Sequence, residues 1–343
     1  MVEKSGVGNN LNLTIDQTIQ KIAYESLGDH IGSIVVMDPR NGEVLAMVSK
    51  PSYDPNSLDK DWNTLIQNTD APLLNRSSQG AYRPASTMKI VSSDAILRKG
   101  INTNFNDTGT VTIQNYDIKN YGDYSYGQVN LRTALMYSLN TYFASKVDQI
   151  GKKSYEEVAE SYMFNKNYKF DLEKLNAKIP FDELNQVDTA MTGFGYGKTR
   201  VTPLHMAMIS STIANNGKMM QPRLVKNVVN KDGKIIKESK NEVLSDVTSS
   251  EIANKIRDYM VDVVNYGTAK GAYLQSVQIA GKSGTVDKEG GGVDMWFVGF
   301  APAYDPKIAF SIVIEDADSL SGEVAVPIGG QMVNSIINNV NLN

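Results

Sequence analysis

Apolar residues recur at three- and four-residue intervals through Ile15, Ile19, Ile22 and Ala23, the spacing of one buried stripe on an α-helix. Thr14 and Gln17 stand in capping-box spacing, so the helix is expected to open there. Two β-type runs follow, Ile34–Met37 and Val44–Val48. The turn chemistry of Asp38-Pro39-Arg40-Asn41-Gly42 between them predicts a hairpin. From about Pro51 to Gly271 helical spacing dominates, as in Met88-Ile90-Val91-Ala95-Leu97, Leu131-Leu135 and Met206-Ile209, with irregular stretches rich in Asn, Gly and Tyr between. The β pattern then returns in Val277–Val286, Met295–Phe300 and Ile308–Ile314, with turns at Glu289-Gly290-Gly291-Gly292 and Tyr304-Asp305-Pro306. Met332, Ile336, Ile337 and Val340 line one side of a last helix.

Two N-terminal and three C-terminal strands make one five-stranded antiparallel sheet flanked by helices. A large, mainly helical lobe is inserted between its two halves, an α+β architecture with a cleft between lobes. The expected boundaries are a linker remnant at 1–10 and one domain at 11–343, with a sheet lobe at 11–50 and 272–343 and a helical lobe at 51–271.

Composition narrows the chemistry. The 343 residues are 41% hydrophobic and 21% charged, enough for a core, and 34 Lys+Arg against 38 Asp+Glu leave no basic block for nucleic acid. Cysteine is missing and only His30 and His205 are present, so thiol chemistry, a disulfide or a histidine-based triad has no material. No apolar run approaches the ~18 residues of a membrane span.

A serine activated by lysine is the route left open. Ser-x-x-Lys puts both side chains on one helical face, and the chain has two such pairs. Ser57–Lys60 lies in a polar stretch and reads as a solvated loop. Ser86–Lys89 follows Pro84, opens an apolar helical pattern and precedes Gly100, which suits a helix C′ position, so Ser86 is expected at a helix N-terminus. Lys89 must be neutral to act as a base, and lowering a lysine by three units costs ~4 kcal/mol. Burial and a second cation can supply that. Lys282-Ser283-Gly284-Thr285, in a strand read as central, offers the cation, and its hydroxyls suit a carboxylate. Lys4-Ser5-Gly6 repeats the triplet in a polar setting without a strand. Ser138-Leu139-Asn140, on a bend after an apolar helix, can face the same cleft with a hydroxyl and an amide.

The ordered set Ser-x-x-Lys, Ser-x-Asn, Lys-Ser-Gly resembles the transpeptidase domain of penicillin-binding proteins, of the monofunctional class B kind. The resemblance runs from about Leu11 to Val340. It includes Leu13-Thr14-Ile15-Asp16, Gly42-Glu43-Val44-Leu45-Ala46-Met47, Thr202-Pro203-Leu204, Gly267-Thr268-Ala269 and Trp296-Phe297-Val298-Gly299-Phe300-Ala301-Pro302. Ala85 departs from it, since the family more often has Pro-Gly before the nucleophile; Pro84-Ala85-Ser86-Thr87 is similar to class D β-lactamases and penicillin-sensing domains.

The resemblance implies a D,D-transpeptidase that cross-links peptidoglycan stem peptides through a serine acyl-enzyme and is acylated by β-lactams. A class D-like β-lactamase or a non-turnover sensor is the alternative. Ser86 would be nucleophile, Lys89 its base, and Ser138, between Lys89 and Lys282, a proton relay. Asn140 would bind the substrate amide. Ser283, Gly284 and Thr285 would receive the substrate, with the Ser86 and Thr285 N–H groups as oxyanion hole. The resemblance implies no cofactor or metal. It implies a glycosyltransferase partner in the membrane and a place on the extracytoplasmic face, anchored by an N-terminal segment not in this chain. Other motifs read as structural: Glu183 in Asp182-Glu183-Leu184-Asn185, the Gly193-Phe194-Gly195-Tyr196-Gly197 turn, a flexible cleft-side turn, His205 as a satisfied interior or boundary histidine, and Trp296 as core. Tyr116 to Tyr126 are left open between surface and substrate-facing roles.

Overall fold

The computed structural model describes residues 8–288, 291–317 and 320–342; the expected turn residues Glu289 and Gly290, and the Lys4-Ser5-Gly6 copy, lie outside the described residues. The main sheet has five strands: β1 (Gly32–Met37), β2 (Val44–Lys50), β3 (Ala280–Asp287), β4 (Val293–Ala301) and β5 (Ile308–Ala317). All pair antiparallel in the spatial order β3-β4-β5-β1-β2, so the first and last parts of the chain share one sheet as expected. The strand carrying Lys282 is not central, however. β3 stands at the sheet edge, and β5 is in the middle. An edge leaves backbone N–H and C=O groups for an outside peptide, which a central strand cannot offer.

The helices used below are α1 (Gln17–Ser26), α2 (Leu58–Gln67), α3 (Lys89–Arg98), α4 (Leu131–Tyr137), α5 (Asn140–Ile150), α6 (Pro203–Ala214), α7 (Ser250–Asn265) and α8 (Ala325–Asn339). Helices cover both faces of the sheet, and two adjacent residues of β5 show it. The Ser311 hydroxyl donates to the Pro203 carbonyl of α6 at 2.6 Å, while a Cβ at Gly329 of α8 would stand 3.3 Å from Ile312. Neighbouring strand residues point to opposite faces, so α6 and α8 sandwich the sheet. α1 packs beside α8. All twelve residues of α6 are buried, as suits a helix enclosed between the sheet and other helices.

Local chemistry corrects some expected boundaries. Asp16, not Thr14, caps α1, accepting the Thr18 and Ile19 N–H groups at 2.8 and 2.9 Å. The Thr14 hydroxyl instead donates to the Val44 carbonyl at 2.7 Å. The preceding strand, Asn10–Leu13, pairs with Val225–Val229; its Asn-Leu-Asn-Leu alternation is only four residues long and all four are exposed, so no buried face announces it. Short pairs also interrupt the helical lobe, Phe105–Asp107 with Gly127–Val129 and Thr110–Ile113 with Tyr116–Lys119. At three or four residues each, they are too short to show a period.

Candidate active site

The chain reaches Ser86 through a strained turn. Ala85 to Met88 form a 3₁₀ turn, and α3 begins only at Lys89, so Ser86 sits one short turn before the α-helix expected to start with it. Gly100 follows the helix at φ 61°, as its C′ position requires. Ala85 has φ 51°, a left-handed conformation that glycine adopts without cost and alanine does not. Its surroundings enforce the shape. A Cβ at Gly195 would lie 1.9 Å from the Ala85 carbonyl oxygen, and the Trp296 indole N–H of β4 donates to the Arg83 carbonyl at 3.0 Å. Trp296 is thus buried, as expected, and fixes the backbone entering the Ser86 turn. The glycine-rich turn lies beside the cleft, as expected, with Gly195 packed against Ala85 and Tyr196 at the cleft.

Lys89 is fully buried, and its Nζ lies 2.9 Å from Ser86 Oγ, 3.1 Å from Ser138 Oγ, 2.7 Å from the Ser138 carbonyl and 2.7 Å from Asn140 Oδ1. Burial pushes its pKa well below the usual lysine range, and the nearby Lys282 charge pushes it further. Lys282, also fully buried, donates to Ser138 Oγ at 3.0 Å and to the Ser283 carbonyl at 2.9 Å; burial lowers it to about 7. The three sequence segments therefore meet at one hydroxyl, Ser138 Oγ, held between two lysine amines.

Ser138 has φ 60° and ends α4, and α5 starts at Asn140, so this left-handed residue makes the bend that turns both polar side chains to Lys89. Thr268 braces the bend from the other wall. Its N–H donates to the Met136 carbonyl at 3.2 Å, and its hydroxyl meets Ser283 Oγ at 2.8 Å. Gly284 brings β3 against the Ser86 turn: a Cβ there would lie 3.2 Å from the Ser86 nitrogen and 3.1 Å from Ala85 Cβ. Thr285 contacts Ser321, in the stretch leading to α8, at 3.0 Å.

These residues line a cleft of about 650 Å³ whose rim is aromatic, with Tyr121, Tyr124, Tyr126 and Tyr137. Tyr126 and Tyr137 stack at 5.0 Å; of the tyrosine stretch, Tyr121, Tyr124 and Tyr126 face the cleft and Tyr116 does not line it. A buried carboxylate holds the rim in place. Asp107 accepts from Asn120 Nδ2 at 3.0 Å, Thr141 Oγ1 at 2.7 Å and the Tyr126 N–H at 2.9 Å, tying the loop to the start of α5.

The remaining candidates fall elsewhere. Ser57 and Lys60 lie not in a loop but at the start of α2, which buries none of its residues, and the Ser57 hydroxyl donates to Asp61. Glu183 is exposed, pairs with Lys198 at 2.9 Å and does not line the cleft; that partner holds its carboxyl below the usual range. His205 is interior, as expected, but not satisfied: it is buried on α6 with its ring edge-on to Phe164 at 4.9 Å, and neither ring nitrogen has a hydrogen-bond partner among the described residues. Burial lowers it to about 3, which keeps it neutral. Thr268, Ser321, Gly195 and Asp107 were not singled out as site residues by sequence reasoning. Only Thr268 and Gly195 lay within segments already marked, and no local pattern signals the other two.

A sheet with helices on both faces and a serine-lysine-serine-lysine line in its cleft define a serine acyl-transfer protein. The chain belongs to the penicillin binding protein transpeptidase domain family, whose profile it matches over residues 32–334. It is 32% identical to the peptidoglycan D,D-transpeptidase PbpA of Mycolicibacterium smegmatis, over 94% of this chain and 71% of that one. It superposes with TM-score 0.92 and 32% identity on the D,D-transpeptidase domain of a peptidoglycan glycosyltransferase from Eggerthella lenta, covering 98% of this chain and 84% of that one. The ceftriaxone acyl-enzyme complex of penicillin-binding protein A from M. tuberculosis gives TM-score 0.91 at 28% identity, over 96% and 80%.

Proposed function

We propose that the cleft performs peptidoglycan D,D-transpeptidation, with Ser86 as nucleophile and Lys89 as its base. The observation that carries this reading is the surroundings of Lys89 Nζ. A neutral amine has two N–H donors and one lone pair. Its two closest partners, the Ser138 carbonyl and Asn140 Oδ1, can only accept, which leaves the lone pair for a hydroxyl proton. Ser86 Oγ at 2.9 Å supplies it. No carboxylate contributes to the Lys89 shift, so burial and Lys282 act unopposed in keeping it neutral.

Ser86 Oγ attacks the carbonyl carbon of the penultimate residue of a stem peptide, and Lys89 takes its proton. The carbonyl oxygen becomes an oxyanion in reach of the Ser86 and Thr285 N–H groups; one such donor contributes ~3 kcal/mol. The close approach of Gly284 to the Ser86 nitrogen supports that assignment. The peptide C–N bond breaks, and Ser138 passes a proton to the departing amine, with Lys282 holding it from the far side. A second stem peptide's amine then attacks the ester, forms the cross-link and returns the proton to Ser86. Asn140 is assigned to the substrate amide, and Ser283 and Thr285 to the terminal carboxylate. β-Lactams enter the same path and stop at the ester.

The substrate lies outside the cytoplasmic membrane, which supports an extracytoplasmic place, an N-terminal anchor and a glycosyltransferase partner that supplies the glycan strands. No helix among the described residues is long and apolar enough to cross a membrane.

The test is a stem pentapeptide ending in D-Ala-D-Ala offered together with a peptide amine acceptor. Release of D-Ala with formation of the cross-linked product is expected, and neither with Ser86→Ala. Hydrolysis without transfer, or turnover by the Ser86→Ala variant, contradicts the reading.

A further inference from the structure

Ser321 lies between β5 and α8, away from all three motif segments. It is buried, yet it borders the cleft beside Thr285. Two contacts tie the pair. The Ser321 N–H donates to Thr285 Oγ1 at 3.1 Å, and the Thr285 hydroxyl donates to Ser321 Oγ at 3.0 Å. Thr285 thus has its proton committed to Ser321. Its counterpart Ser283 lies 2.8 Å from the Thr268 hydroxyl, a pair in which either oxygen can donate.

We propose that Ser321 is a positioning residue for carboxylate recognition, acting through Thr285; this rests on the transpeptidase reading above. A hydroxyl has one proton and two acceptor lone pairs, and it rotates to suit its neighbours. When a ligand carboxylate reaches Thr285, the pair reverses direction: Ser321 Oγ–H donates to Thr285 Oγ1, and Thr285 turns its proton to the carboxylate. The Ser321 N–H keeps the Thr285 oxygen in place throughout. With both its lone pairs then occupied by donors from Ser321, Thr285 can only donate, and hydrogen bonds in series strengthen one another. No bond between heavy atoms forms or breaks and no proton leaves its oxygen.

The test is the acylation rate at limiting concentration for benzylpenicillin and for its methyl ester, which lacks the anionic carboxylate. Wild type, Ser321→Ala, Ser321→Thr, Thr285→Ala and the Ser321→Ala/Thr285→Ala double variant are compared. One net hydrogen bond corresponds to about a fivefold effect. Ser321→Ala is expected to lower the acid-to-ester rate ratio about fivefold, and Ser321→Thr, which keeps the hydroxyl, to preserve it. In the Thr285→Ala background, Ser321→Ala should change the ratio by less than about twofold. Because the readout is a ratio within one preparation, partial unfolding of a variant does not alter it. An unchanged ratio in Ser321→Ala, or a full fivefold loss that persists without Thr285, overturns the role of Ser321. A wild-type chain that neither ligand acylates contradicts the transpeptidase reading itself, and this inference with it.

Discussion

The carbonyl of Ala85 occupies the space that a side chain at Gly195 would need, with the two 1.9 Å apart. Gly195 is also left-handed, at φ 84°. Gly195→Ala must therefore move the backbone next to Ser86, because the obstacle is backbone and cannot rotate aside. The variant should lose at least about 2 kcal/mol of stability, in the range of overpacked or strained sites. Acylation by benzylpenicillin should fall by more than about tenfold, since small misplacements of a nucleophile are costly. Denaturant unfolding and acylation kinetics check both. A variant with wild-type kinetics contradicts the claim that this contact shapes the turn.

Ala85→Gly acts in the opposite direction. A left-handed alanine costs roughly 1–2 kcal/mol, and the greater freedom of glycine in the unfolded chain takes back up to about 1. The net expectation is stabilisation by up to about 1 kcal/mol with acylation retained. A loss of stability in urea unfolding would count against the strained geometry at φ 51°.

The buried lysines make stability depend on pH. Lys282 falls from the ordinary 10.5 to about 7 because burial penalises its charge. Between those values the unfolded chain binds a proton that the folded chain does not, so folding becomes more favourable as pH rises through the window. Below pH 7 the penalty is fully present. Lys282→Met has no such charge to bury. Its stability advantage over wild type should shrink by up to about 1.4 kcal/mol per pH unit between about 7 and 10. Unfolding of both proteins across that range measures it. A difference that stays constant with pH contradicts a neutralised Lys282.

Asp107 holds the tyrosine rim through contacts that Ala cannot replace. Asp107→Ala removes the side-chain acceptor of the Tyr126 and Gly109 N–H groups and leaves Asn120 Nδ2 and the Thr141 hydroxyl only the Tyr124 carbonyl and Asn120 Oδ1 as partners. It should cost about 2–3 kcal/mol and weaken substrate binding more than the chemical step. Separate concentration and rate terms in the acylation kinetics reveal which one moves.

Legibility in the sequence followed the range of the interaction. The sheet halves were readable because β1, β2 and β3–β5 carry runs of apolar residues bounded by turn chemistry. Ser86–Lys89 and Ser138–Asn140 were readable because one helical turn or one bend decides who meets whom. The edge position of β3 was not, since strand order depends on pairings across the whole chain. The Asn10–Leu13 strand was hidden because its residues face solvent on both sides. Ser321, Thr268 and Asp107 act across 36, 15 and 34 positions on Thr285, Ser283 and Thr141 respectively, and a hydroxyl or carboxylate has no period that would announce such a contact. Ala85 shows the converse case. Its departure from the Pro-Gly usual in the family was visible at once, but only the φ angle gives it a physical meaning.

Intact-mass spectrometry of the chain with benzylpenicillin, followed over hours beside Ser86→Ala, tests the central claim that Ser86 is a nucleophile served by a neutral Lys89. The account predicts one drug mass added to wild type, an adduct that persists, and none on Ser86→Ala. A persistent adduct on Ser86→Ala, or rapid loss of the drug with no lasting adduct on wild type, would contradict it.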